Sequence, residues 1–165
     1  MPFTPLHMGP GLLIKSVLQS SFSLMLFGWS QILMDLQPLF SMITGKGDLH
    51  GFSHTIIGAT LLALLAALSG KQLSEYLLKF VDFTEESYIT WKIAIISAFI
   101  GTYSHVLLDS IMHSDVTPYF PFSEESPLYF IISIEALHEV CFYSGIVGAI
   151  IYFGVIHYQK KRNNG

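Results

Sequence analysis

The residues able to do chemistry are few, and they recur at helical spacing. The stretch "GTYSHVLLDSIMHSD" (Gly101–Asp115) sets His105, Asp109, His113 and Asp115 into an apolar run. On a helix His105 and Asp109 stand one turn apart on one face, with His113 a further turn on. "HGFSH" brackets a glycine with His50 and His54 ahead of another apolar run. "IEALHE" brings Glu135, His138 and Glu139 within about 100° of one helix face. His7 and Asp35 stand singly near the start of the chain. Histidine and carboxylate at i, i+4 can reach one ion from one helix face, so the chemistry this set offers is metal ligation. Mixed nitrogen and oxygen donors suit Zn²⁺, with Mn²⁺ or Fe as alternatives, and the number of ligands allows one to three ions. Two ions roughly 3.5–4 Å apart activate water and clamp a phosphoryl group. The same spacing also describes a hydrogen-bonded polar seam inside a bundle. What favours metal is the number of segments contributing at one level.

The elements that must position these groups are greasy. The chain is 52% hydrophobic and only 12% charged, about half the charge of an average soluble domain, with a mean hydropathy of +0.54. It reads as one all-α polytopic membrane domain, residues 1–165. The net charge of −4 and the lack of a basic patch exclude a nucleic-acid partner. The single cysteine, Cys141, excludes an intramolecular disulfide and a cysteine-based zinc site.

Three apolar segments are long enough to cross a bilayer, which takes roughly 17–25 helical residues. They are His54–Gly70, Tyr88–Met112 and Pro127–Tyr158. The region from Pro10 to Phe40 is broken by Lys15 and the polar Gln19–Ser21. It predicts a helical hairpin, Pro10–Gln19 and Phe22–Asp35, that brings His7 back towards Asp35. "QPLFSMITGKGDLHGF" and "HSDVTPYFPFSEESP" read as loops, and "KQLSEYLLKFVDFTEES" as a loop with a short surface helix.

Basic residues set the orientation. Lys71, Lys79 and Lys92 flank one loop, and Lys160, Lys161 and Arg162 end the chain on the same side, predicted cytoplasmic. His7, Asp35, His50, His54, His105, Asp109, His113, Glu135, His138 and Glu139 then collect at the non-cytoplasmic end of the bundle. His157 lies at the far end and stands outside this set. An intramembrane Asp costs at least ~2.5–3.5 kcal/mol on insertion scales, so gathering several acids from four segments at one depth implies a function. No GxSxG elbow, HExxH pair or glycine-rich phosphate loop is present.

The order "TPLHMGPG", "LMDLQP", "HGFSHTIIG", "GTYSHVLLDSIMHSDVTPYFP" resembles the membrane-bound metal-dependent hydrolase family of the inner membrane, up to about Pro121. That family has a Thr-x-x-His start, a Pro-Asp-Ile-Asp element, a His-Arg-Gly-x-Thr-His-Ser element and a His-x-x-x-Asp helix. Here Met34-Asp35 stands for Pro-Asp, Gln37 takes the place of the second acid, and His50 directly precedes Gly51. The order is also distantly similar to the zinc-dependent phospholipase C fold. That likeness implies His7, Asp35, His54, His105, Asp109 and His113 as ligands, with Glu135 and Glu139 as a last pair. Together the resemblances imply a metal-dependent hydrolase acting on a lipid or lipid-linked phosphoester at the inner (plasma) membrane. Asp35 and Asp109 would be its catalytic carboxylates, and a metal-activated water would make a side-chain nucleophile unnecessary. The alternatives are a non-enzymatic metal-binding membrane protein or transporter, and a structural subunit with a buried polar seam.

Overall fold

The computed structural model describes residues 5–81 and 88–163. These are all-helical, with no strand among the described residues. The helices are α1 (Met8–Leu18), α2 (Leu24–Thr44), α3 (Ile56–Val81), α4 (Trp91–Met112) and α5 (Ile134–Asn163), with short 3-10 turns at Pro5–His7, Gln19–Ser21 and Phe52–His54. Three of them, α3, α4 and α5, are long and apolar enough to cross a membrane.

The N-terminal hairpin forms where the polar break predicts it. The Lys15 ammonium donates to the carbonyls of Gln19 (2.7 Å) and Phe22 (2.8 Å), closing the turn after α1. Ser23 then caps α2 by accepting from the Leu26 amide. The arms take different partners, α1 lying along α5 while α2 packs on α3 and α4. The molecule is therefore a three-helix group with a two-helix pair against it.

Four element boundaries differ from the sequence reading, each for a local reason. Helix α2 does not stop at Asp35 but runs on to Thr44, ending where Gly45 turns left-handed and donates to the Ser41 carbonyl. Pro38 lies inside it. The expected separate surface helix after the second segment is instead the continuation of α3. There Lys71 pairs with Glu75 at i, i+4 (2.5 Å), and Glu75 also accepts the Ile89 amide at 2.9 Å. The third apolar segment becomes helical only at Trp91, because Thr90 accepts the Ile93 amide as its cap. The fourth starts at Ile134, where the Ser133 hydroxyl accepts from the Ala136 amide.

Lipid tails are as apolar as leucine, so close packing rather than water exclusion holds such helices together. An apolar cluster of Leu26, Leu33, Ala66, Ala67, Ala94 and Ala98 joins α2, α3 and α4. Above it Gly101 of α4 lies directly against Ser30 of α2, where any Cβ would overlap the serine hydroxyl. That approach sets α2 and α4 close enough for Asp35 and His105 to meet. Helix α5 instead shows Ile150 (68% exposed) and Phe153 (66%), a surface suited to lipid. The basic Lys92, Lys160, Lys161 and Arg162 occupy the opposite end of α4 and α5 from His105, Asp109 and Glu135.

Candidate metal centre

Asp109 is the junction of the site. Its Oδ2 lies 3.1 Å from His54 Nε2 and 3.1 Å from His105 Nε2, and its Oδ1 lies 3.7 Å from His7 Nε2. Asp35 Oδ1 stands 3.4 Å from His105 Nε2. All five residues are buried. Each comes from a different local device. His105 and Asp109 share one face of α4, and Asp35 reaches them from α2. His54 ends the 3-10 turn that leads into α3, and His7 ends the turn that leads into α1.

The rings are held by their other nitrogens. His105 Nδ1 lies 2.6 Å from Gln31 Oε1, and the Gln31 amide is oriented by donating to the Gly101 carbonyl at 3.0 Å. Nδ1 must therefore carry the proton and donate it to Gln31, which leaves the Nε2 lone pair facing Asp35 and Asp109. His54 Nδ1 pairs with Ser53 Oγ at 2.9 Å, while the Ser53 amide donates to Gln37 Oε1 at 2.9 Å. Gln37, standing where the resemblance places a second acid, thus ties the His50–His54 segment to α2.

Four buried side-chain polar atoms among the described residues have no hydrogen-bond partner, and all four are histidine Nε2 atoms: His7, His54, His105 and His138. Three of them face Asp109. The distances of 3.1 Å suit hydrogen bonds, but the rings do not aim an N–H along them. Buried groups left like this cost about 1–3 kcal/mol each. Cations held within the overlapping His7–His105–Asp109 and Asp35–His54–His105 groups would satisfy the three that face Asp109, and the donor set of imidazole plus carboxylate suits Zn²⁺, Mn²⁺ or Fe.

Outside the membrane segments, electrostatics keep the ligands in their metal-binding form. Burial lowers His7 from 6.5 to about 4, outweighing the pull of Asp109. Burial likewise lowers His54 against the effect of Asp109, and lowers His113, helped by His50. These rings are neutral at physiological pH, with lone pairs free.

An outer group adjoins the buried one. His50 Nδ1 meets Asp115 Oδ2 at 2.9 Å, its ring stacks on His113 at 4.3 Å, and it stands edge-on to His54 at 4.9 Å. Burial works to raise Asp115, but the hydrogen bond with His50 and the nearby imidazoles hold it below the usual carboxylate range. Ligand atoms within 4.8 Å of one another define four overlapping groups: His7–His105–Asp109, Asp35–His54–His105, His50–His54–Asp109 and His50–His113–Asp115.

The sequence-predicted residues divide accordingly. His7, Asp35, His50, His54, His105, Asp109 and His113 are brought together. His138 is half-buried and close enough to His7 for their charges to oppose, yet it belongs to none of the four groups. Glu135 and Glu139 are exposed and likewise belong to none of the four groups. Helix α5 packs through Leu137, Cys141 and Gly148, and positions two residues from Leu137 fall about 160° round the helix from it. Sequence reasoning missed Gln31, Gln37 and Ser53. Gln31 carried a usable signal, an uncharged polar group one turn before Asp35 on the same face. Asp115, noted in the sequence without a ligand role, joins the outer group.

No curated protein and no solved structure gives a significant match to the chain. A family model described as "YdjM inner membrane protein" matches residues 14–163, from within α1 to the end of α5, and leaves out the segment that carries His7. The match bears on membrane location and carries no hydrolase or phospholipase C likeness with it. An all-helical bundle with three apolar helices of spanning length agrees with that match over most of its length, and the chain belongs to the YdjM inner membrane protein family.

Proposed function

We propose that this protein is a membrane-embedded metal-dependent hydrolase whose substrate is a lipid or lipid-linked phosphoester. The observation that carries the reading is the convergence of three unpartnered histidine Nε2 atoms on one buried carboxylate. A polar seam built for stability would satisfy its donors and acceptors within itself. Here the unsatisfied atoms share one target.

His7, His54, His105, Asp35 and Asp109 would hold the ion, with zinc the expected metal and Mn or Fe the alternatives. A divalent cation supplies Lewis acidity, which polarises a phosphoryl oxygen and acidifies water at neutral pH. The chain's own part is to fix the ligands and keep His7 and His54 unprotonated; Gln31 and Ser53 do the first, and burial does the second. The substrate class follows from depth. The cluster lies at one end of long apolar helices, so the scissile bond of a lipid would arrive at the level of the headgroups. The excess of Lys and Arg at the other end points to a cytoplasmic C-terminus and a site towards the non-cytoplasmic face.

A non-enzymatic metal-binding protein or transporter uses the same ligands. Transport also needs a polar route onward, and the apolar cluster of Leu26, Leu33, Ala66, Ala67, Ala94 and Ala98 lies between α2, α3 and α4 on that side. The test is metal analysis of wild type beside Asp109→Ala and His54→Ala, with phosphodiester cleavage followed on phospholipid micelles and on a soluble aryl phosphodiester. Bound metal, chelator-sensitive cleavage and loss of both in the variants are expected. A metal-free wild-type protein would overturn the reading. So would metal uptake into liposomes without any cleavage.

A further inference from the structure

We propose that His50, His113 and Asp115 hold a second divalent cation at an outer position, separate from the buried one and open to a surface groove. Ligand atoms of these three residues lie within 4.8 Å of one another. None of the three is needed to complete the buried set around Asp109. His50 also belongs to the group His50–His54–Asp109, so the two positions are adjacent and share a neighbour.

The three residues are placed by the backbone rather than by chance contact. His113 caps the C-terminal end of α4 and its amide donates to the Asp109 carbonyl at 2.8 Å, which locks the outer ligand to the inner one. The loop that carries Asp115 is pinned by the fully buried Val116, and the Pro118 carbonyl accepts the Ile56 amide at 2.9 Å. His50 leads into the segment that Gln37 anchors to α2. The 2.9 Å contact between His50 Nδ1 and Asp115 Oδ2 is a proton shared by two ligand atoms, and a metal ion binds such a pair by displacing that proton.

The outer position differs from the inner one in access. The His50 side chain is 9% exposed and that of Asp115 is 54% exposed, while His54 and His105 are at 0% and 1%. A groove of about 600 Å³ borders it, lined by His50 and Asp115 together with Phe52, Thr55, Thr117 and Phe120. Closed ligand sets hold structural ions, whereas catalytic ions keep open coordination positions. Three protein ligands, two of which line a groove, meet the second description. The catalytic role of this position rests on the hydrolase reading; its ability to bind an ion does not.

The test uses full-length protein in detergent, stripped with a chelator and equilibrated against a fixed micromolar concentration of free Zn²⁺. Zinc per chain is then measured by elemental analysis. Wild type is expected to hold two ions, and His113→Ala and Asp115→Asn one each, with unchanged helical circular dichroism because both residues lie outside the helices. Equal occupancy in wild type and both variants overturns the outer position. Loss of all zinc in both variants overturns its separateness from the inner one. The two readings fail differently: a wild type with one ion that His113→Ala leaves in place refutes only the outer position, and a wild type with none refutes both.

Discussion

Gln31 brings no charge to the centre, yet replacing it should weaken metal binding. Its Oε1 accepts the proton of His105 Nδ1 at 2.6 Å, and its amide is held by the Gly101 carbonyl at 3.0 Å. Gln31→Leu keeps comparable volume and removes both contacts. The Gly101 carbonyl retains the Ser104 hydroxyl at 2.9 Å, so the group left stranded is His105 Nδ1. The ring is then free to move its proton to Nε2, where it blocks the lone pair that faces Asp35 and Asp109. Losing a hydrogen-bond partner of a metal-bound histidine costs about 10–100-fold in affinity, or roughly 1.4–2.8 kcal/mol. The metal-free fold should lose a further ~1–3 kcal/mol for the stranded donor. The assay is Zn²⁺ competition against a chromophoric chelator with stripped protein in detergent. Ser110→Ala is the control, since the buried Ser110 hydroxyl donates to the Val106 carbonyl at 2.6 Å, away from the ligand atoms of the centre, and should leave affinity unchanged. If Gln31→Leu binds zinc within twofold of wild type while remaining helical, the tautomer argument is wrong.

Three further outcomes are expected. Glu135→Gln and Glu139→Gln should leave zinc content at the wild-type level, because both side chains are exposed and outside the ligand groups; a drop in zinc per chain would restore them to the site. The chelator-stripped protein should lose stability as pH falls from 6.5 towards 4. His7 is depressed to about 4 in the fold, so the unfolded chain binds the extra proton across that window, worth about 3 kcal/mol at 1.36 kcal/mol per unit; a thermal midpoint that is flat over this range refutes it. Gly9→Ala should reduce metal content without altering any ligand. A Cβ there would overlap the Cys141 carbonyl of α5, so α1 must shift and carry His7 with it, at ~1–3 kcal/mol of packing; wild-type zinc binding in this variant would show that His7 does not depend on the α1–α5 contact.

How much was legible in advance can be judged from particular residues. His105 and Asp109 were readable as a pair because an α-helix makes i, i+4 neighbours whatever surrounds it. The hairpin was readable from Lys15 and Gln19–Ser21, since polar groups inside an apolar run need somewhere to go, and the structure spends Lys15 on the carbonyls of the turn. The all-helical class followed from the apolar run lengths, because a backbone in lipid must satisfy its own hydrogen bonds. The helix ends were less legible. Ser133 and Thr90 act as caps only in the local backbone conformation that positions their hydroxyls, and the end expected at Asp35 is one that α2 runs through to Thr44.

Composition and spacing alone thus determined the membrane character, the helical bundle and a pool of ionisable residues at one end of it. Only the tertiary structure decided which members of that pool meet. Sequence spacing fixes angles within one helix but not the rotation of one helix against another, so Glu135 and Glu139 shared a plausible face with His138 and are nonetheless exposed and outside the four ligand groups. The close passage of Gly101 along α2 and the seating of α1 on α5 bring Asp35 and His7 to Asp109. The same packing gives Gln31, Gln37 and Ser53 their parts, because a hydrogen bond between residues 74 positions apart leaves no trace in local pattern.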